Sequence, residues 1–148
     1  MSTSHFGRYE PKFNGNTTYT LTTSYVASEA MRAAFGKNIT VFPYYTPGAG
    51  GTGNTLQFEV EINPYSAEED PTNLYWSQAG RYENTAGTWV EEPATFTGLA
   101  GTATVQKNLV VMDGIYLAAS QVRLKAKETV VGGVAGTVKF VVTTNTIN

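Results

Sequence analysis

A chain of 148 residues with a net charge of −2 and 15% charged residues has the length of one domain, able to bury roughly 68–70% of its unfolded surface. So weak a charge offers no electrostatic footprint for nucleic acid or an anionic membrane, and the absence of cysteine excludes a disulfide framework, cysteine-based zinc sites and a thiol nucleophile. The N-terminus lacks an apolar signal core, and no apolar run approaches the ~18 residues of a membrane span, so the expectation is a soluble chain made in a cytoplasm.

In chain order, Met1–Gly15 shows no periodicity, with Phe6, Tyr9 and Phe13 scattered among polar residues. It reads as an extended arm of at most ~50 Å, either frayed or docking its aromatics on a neighbouring subunit. Thr17–Tyr25 follows as a strand with Thr17, Tyr19, Leu21 and Thr23 on one face. Ser28 is placed to cap a short helix, Glu29–Phe35, with Gly36 as its stop. Such a helix is marginal alone, so Met31, Ala34 and Phe35 should pack on the sheets. Asn38–Tyr45 is the next strand, with Ile39 and Val41 buried and Phe42 a further candidate. Pro43 there points to an edge or a bulge.

Thr46–Asn54 is rich in glycine and reads as a loop. Thr55–Ile62 then gives the cleanest alternation: Leu56, Phe58, Val60 and Ile62 inward, Gln57, Glu59 and Glu61 outward. Asn63–Asn73, with Pro64, Pro71 and Glu68-Glu69-Asp70, reads as an exposed loop. Leu74–Gln78 brings Tyr75 and Trp76 into a short strand. Arg81–Gly87 turns, Thr88–Glu92 returns with Trp89, and Pro93–Gly101 is another short strand. Thr102–Met112 reads as a long strand, Asp113-Gly114 as a tight turn, and Ile115–Ala118 leads onward.

Val122–Thr143 organises the rest. Val122, Leu124 and Ala126 alternate with Arg123, Lys125 and Lys127; after a glycine-rich break, Val138, Phe140 and Val142 alternate with Lys139, Val141 and Thr143. Period-2 alternation on both sides of such a break reads as an antiparallel hairpin with one dry face, and that face needs a second sheet to cover it. The expected fold is all-β: an antiparallel β-sandwich, jelly-roll-like, of about eight or nine strands with one short helix. Residues 1–15 form the arm and 16–148 the single sandwich domain.

Candidates for chemistry are few. Gly48–Gly53 fits the G-x-G-x-x-G pattern, but a dinucleotide site needs those glycines to open a helix, and here they precede a strand. Glu59 and Glu61 share a face at roughly 6.6–7 Å along a strand, a separation that a glycosidase pair could use. On a flat wet face they would instead pair with Arg123, Lys125 and Lys127. Glu68-Glu69-Asp70 lacks the ligand spacing of a calcium loop. His5 is the only histidine and sits in the arm with no nearby Cys or ordered carboxylate, so no metal site or Ser-His-Asp triad is expected. No catalytic, metal or cofactor-binding residue is therefore assigned. Tyr44, Tyr45, Tyr75, Trp76, Tyr82 and Trp89 could stack on sugars, fill the core or mark an interface.

The run Ile115–Asn145, I-Y-L-A-A-S-Q-V-R-L-K-A-K-E-T-V-V-G-G-V-A-G-T-V-K-F-V-V-T-T-N, resembles the closing segment of small virion proteins of tailed bacteriophages. The strand Leu56–Ile62, the acidic loop Glu68–Asn73 and the Trp-containing Leu74–Gln78 stand upstream in the same order, so the resemblance covers about Thr55–Asn145. It implies a structural β-sandwich on the particle, either a capsid decoration (cement) protein or a neck or tail component, with no catalytic residues. The partners implied are the major capsid protein or other virion proteins and further copies of the chain, a trimer being favoured, with no nucleic acid or membrane. The place implied is the virion, assembled in the host cytoplasm. On that reading Phe6, Tyr9, Phe13, Tyr44, Tyr45 and Pro47 are the expected interface residues.

Overall fold

The computed structural model describes residues 4–32, 38–49, 54–78, 80–83, 88–91, 94–97, 106–107, 110–112, 119–129 and 133–147. Among them every regular element is a strand. In chain order these are β1 (Ser4–Tyr9), β2 (Tyr19–Thr20), β3 (Val26–Ala27), β4 (Met31–Arg32), β5 (Asn38–Thr46), β6 (Thr55–Asn63) and β7 (Ser77–Gln78). There follow β8 (Gly80–Glu83), β9 (Thr88–Glu91), β10 (Ala94–Thr97), β11 (Gln106–Lys107), β12 (Val110–Met112), β13 (Gln121–Thr129) and β14 (Thr137–Ile147).

The four long strands divide between two antiparallel sheets. Sheet 1 runs β1-β14-β5-β11, with β2 also on β14 and β12 also on β5. Sheet 2 runs β10-β6-β13-β3, with β4 also on β13 and β7 also on β6. Strands β8 and β9 form a separate two-stranded ladder. Ile39, Val41 and Tyr45 of β5 and Val138, Phe140 and Val142 of β14 are buried, as are Leu56, Phe58 and Val60 of β6 and Val122, Leu124 and Ala126 of β13. The Phe58 and Phe140 rings meet edge to face across the two sheets at 5.2 Å, the contact expected where two dry faces interdigitate.

The structure replaces the expected closing hairpin with an arch. Strand β13 pairs with β6 over Gln121–Thr129, while β14 pairs with β5 over Thr137–Asn145. The glycine-rich segment therefore crosses from sheet 2 to sheet 1, as the Thr46–Thr55 connection crosses from sheet 1 to sheet 2. Both arches lie at the same end of the sandwich, because Thr46 pairs with Thr137 and Thr55 with Thr129. Gly48 lets them touch: a Cβ there would stand 1.8 Å from the Val134 carbonyl oxygen, and the Val134 amide donates to the Ala49 carbonyl at 3.1 Å.

Glu128 ties the arches together. It lies on the core side of β13, 1% exposed. Its carboxylate accepts hydrogen bonds from the Tyr45 hydroxyl on β5 and, at 2.8 Å, from the Gly136 amide at the entry to β14. A Cβ on Gly136 would meet the Glu128 carboxylate at 2.4 Å and the Thr46 carbonyl oxygen at 2.7 Å, so only glycine fits. Burial first, then the hydrogen bond and charge of Glu128, hold the Tyr45 hydroxyl well above the ordinary tyrosine range.

Three other expectations change. The arm folds onto its own domain: β1 pairs with β14 from Ser4↔Ile147 to Tyr9↔Val142. Phe13 is then carried into the core against Tyr19 at 5.3 Å and Phe140 at 5.7 Å. A tight turn places it, with Asn14 and Gly15 both at positive φ (49° and 81°) and paired bonds between Phe13 and Asn16, as in a two-residue I′ turn.

The helix over Glu29–Phe35 does not begin where Ser28 was expected to cap it. Met31–Arg32 instead pairs with Gln121–Val122 as strand; 33–37 lie outside the described residues. Ser28 completes a ladder rather than a helix: its amide donates to the Leu124 carbonyl at 2.7 Å, and its hydroxyl accepts from the Leu124 amide at 3.0 Å. It bridges β3 and β4 along the edge of β13. Strand content also shifts locally. Arg81–Glu83 is strand rather than turn, the strand after Trp76 is only Ser77–Gln78, and β11 and β12 are what is described of Thr102–Met112. The pairings of β11 and β12 on β5 bracket Phe42-Pro43, where proline has no amide to donate. Asp113–Ala118 lies outside the described residues.

Candidate interaction face

The two sheets present different chemistry to solvent. On the outer face of sheet 2, β6 and β13 set Arg123 opposite Glu61 and Lys125 opposite Glu59. Arg123 Nη2 lies 3.1 Å and Lys125 Nζ 3.7 Å from the Glu61 carboxylate. The Arg123 guanidinium also covers the Trp76 ring at 4.2 Å, and Lys127 stands 4.6 Å from the Tyr25 ring centre. Burial, then the charge of Glu59 and a hydrogen bond to it, push Tyr25 up to about 12. Every charge named on this face has an internal partner, and Glu61, expected to point into water, is 6% exposed beneath its two cations. As general acids or bases, Glu59 and Glu61 are poorly placed: Glu61 is paired with two cations, and Glu59 is engaged with Tyr25.

The outer face of sheet 1 is built otherwise. Its cross-strand pairs are Thr40–Thr143, Phe42–Val141, Tyr44–Lys139 and Thr46–Thr137, all half-buried. Thr18, Tyr44, Thr46, Thr137, Lys139 and Val141 line an open groove of about 380 Å³. Alternation dictates this composition, since β5 and β14 spend their apolar residues of the other parity on the core and leave Phe42, Tyr44 and Val141 outside. Lys139 is the one cation lining the groove, and its Nζ lies 3.1 Å from Glu10. Apolar and hydroxyl surface dominates, with a polar rim, the make-up of a protein contact.

Of the expected interface residues, Tyr44 lines this groove and Tyr9 is 39% exposed on the edge strand β1. Phe13 and Tyr45 are core residues at 0% and 1% exposure, and Pro47 is buried. Those three are spent inside the domain. The Phe6 backbone pairs with Asn145; its side chain lies outside what is described. Phe42, a candidate for the core by sequence, lies half-buried on the outer face, and Thr18, Thr137, Lys139 and Val141 stand with Thr46 of the expected contact loop Tyr44–Thr52 on this face without having been expected in a contact. Their strand parity, opposite to Val41, Phe140 and Val142, was the signal.

Two residues of the glycine run, Gly48 and Ala49, sit in the first arch and 50–53 lie outside the described residues. The acidic loop is closed on itself. Asp70, 2% exposed, accepts from Asn63 Nδ2 at 2.7 Å, Leu74 N at 2.9 Å and Tyr75 N at 3.1 Å. Burial alone would raise its carboxyl; these bonds and the Arg123 charge outweigh that and hold it below its usual 3.8. Among the described residues no three His, Cys, Asp or Glu side chains gather as a metal site would require.

No protein-family model matches the chain, and no curated protein does either. Solved structures similar to it include the SPBc2 prophage-derived protein YomS, 11% identical with a TM-score of 0.46 and 96% of each chain covered. Another is that of infectious bursal disease virus Gt strain, 10% identical at 0.44, covering 98% of this chain and 32% of the other. A non-crystalline cellulose specific carbohydrate-binding module is 15% identical at 0.43, covering 90% and 69%. Likeness at this level assigns no role.

Proposed function

We propose that the chain is a structural virion protein, a capsid decoration (cement) protein that binds the assembled shell and bridges neighbouring subunits without catalysing a reaction. The observation that carries this reading is the contrast between the outer faces. Sheet 2 satisfies its own charges, whereas sheet 1 leaves Phe42, Tyr44 and Val141 half-open around a groove rimmed by hydroxyls. The bacteriophage likeness of the Thr55–Asn145 order supports it from the sequence side. The partner is then the major capsid protein, with a trimer of this chain suiting local three-fold positions of a shell, and the protein works in the virion after assembly in the host cytoplasm. Many weak contacts repeated over a lattice supply the stabilisation.

Co-sedimentation tests this: the protein should pellet with assembled shells, remain in solution with unassembled capsid subunits, and raise the temperature at which shells break. Val141→Lys, a change on the outer face, should weaken pelleting by about tenfold, the cost of a charge in an apolar contact centre. Equal binding to free subunits, or shells no more heat-resistant when decorated, would exclude a cement role. A neck or tail component is the second reading within the same class, and copy number separates the two.

A further inference from the structure

At the other end of the sandwich from the arches, the connection from β6 to β7 carries a second exposed surface. Among the described residues five large hydrophobic side chains are exposed, and three belong to this loop: Leu74 at 73%, Tyr75 at 53% and Tyr65 at 41%. The Tyr65 and Tyr75 rings meet edge to face at 4.8 Å, and Leu74 adjoins Tyr75 in the chain. Within Asn63–Gln78 there are three carboxylates, Glu68, Glu69 and Asp70, and no Lys or Arg. Glu68 and Glu69 are exposed in the same loop, and bonds from the Ser66 amide and hydroxyl keep the Glu69 carboxyl below its usual range.

The loop is also held rigid. Buried Asp70 fixes the Leu74 and Tyr75 amides. Asn63 Oδ1 accepts from the Tyr65 amide at 2.9 Å, and Gln121 Nε2 donates to the Tyr65 carbonyl at 2.8 Å. Trp76 Nε1 donates to Asn73 Oδ1 at 3.1 Å while Arg123 covers the ring. Ordering was completed on folding, so a partner would meet a preorganised contact and lose little entropy in binding it.

We propose that Leu74, Tyr75 and Tyr65, with Glu68 and Glu69 of the same loop, form a second docking surface for a protein partner with an apolar socket edged by Lys or Arg. Resting on the shell-binding reading above, the partner is a capsid subunit neighbouring the one that covers sheet 1. A bridge needs two contacts, and these lie at opposite ends of the sandwich and on different sheets. Exposed Leu74, Tyr75 and Tyr65 in a loop that carries carboxylates and no cation complement an apolar protein surface edged by basic side chains.

The test is shell binding by the full chain, titrated at several salt concentrations, with three proteins: wild type, Leu74→Ser/Tyr75→Ala, and Glu68→Lys. None of the altered side chains is buried, so the fold is left intact. The double variant should bind assembled shells about tenfold or more weakly, as loss of contact-centre residues does. Glu68→Lys should bind roughly threefold more weakly and with a flatter salt dependence. If wild type binds and both variants match it within about twofold, the loop is not a contact and this inference falls while the shell-binding reading stands. If wild type does not bind shells at all, both fall. Release of wild type by soluble cello- or chito-oligosaccharides would identify a glycan site and overturn the protein partner.

Discussion

Removing the Glu128 carboxylate leaves two buried donors, the Tyr45 hydroxyl and the Gly136 amide, without an acceptor. Each such loss costs ~1–3 kcal/mol, so Glu128→Ala should lower stability by about 3 kcal/mol, read as a drop in the urea midpoint with the slope unchanged. Glu128→Gln keeps one acceptor and should lose less. A midpoint unmoved by Glu128→Ala would mean that the carboxylate does not hold the arches. Asp70 works at the opposite end with the opposite pH sense to the tyrosines. Its carboxyl titrates lower in the fold than its usual 3.8, so its contribution is complete above that value and disappears as pH falls through the folded pKa. Asp70→Asn should therefore flatten the acid limb of a stability-versus-pH curve. Tyr25, raised from 10.0 to about 12, contributes fully below pH 10 and loses that contribution as pH rises toward 12, so Tyr25→Phe should flatten the alkaline limb. At this scale the sequence was only partly legible. Asn14-Gly15 is a strong turn signal that the scattered aromatics around it obscured. Glu128 follows the same parity as Val122, Leu124 and Ala126, yet its charge makes it look like surface until Tyr45 and Gly136 are seen to meet it.

Alternation identified β5, β6, β13 and β14 and most of their dry residues because core burial imposes a period of two, though it offered Phe42 for the core and passed over Tyr45 and Glu128. It could not say which sheet each strand joins. Two strands whose dry faces look at each other across a sandwich give the same pattern as two neighbours sharing one face, so Val122–Thr143 reads as a hairpin and folds as an arch. Ser28 was ambiguous for a related reason: a short side-chain acceptor suits a helix cap and a gap in a strand ladder equally well. A chain without cysteine allows a direct check. A Glu59→Cys/Lys125→Cys pair, opposite each other on β6 and β13, should oxidise to a disulfide. A Lys127→Cys/Lys139→Cys pair, opposite in the hairpin alternative, should not. Those two side chains leave from outer faces of sheets packed ~10 Å apart, beyond the reach of a disulfide.

For the whole molecule, one end is closed by Glu128 and the glycine-dependent arches, the other presents a rigid aromatic loop, and one sheet face is left chemically open. A sandwich so arranged has surfaces to offer, and most carboxylates whose side chains are described have internal partners, which suits a component of a large assembly. Neither surface could be located from the sequence, because which residues of a strand face water depends on pairings between segments far apart in the chain. Counting copies of the protein per particle by quantitative mass spectrometry of purified virions tests the central claim most directly. A cement protein should be present in hundreds of copies, in fixed proportion to the major capsid protein; about a dozen copies or fewer, or none, would contradict it.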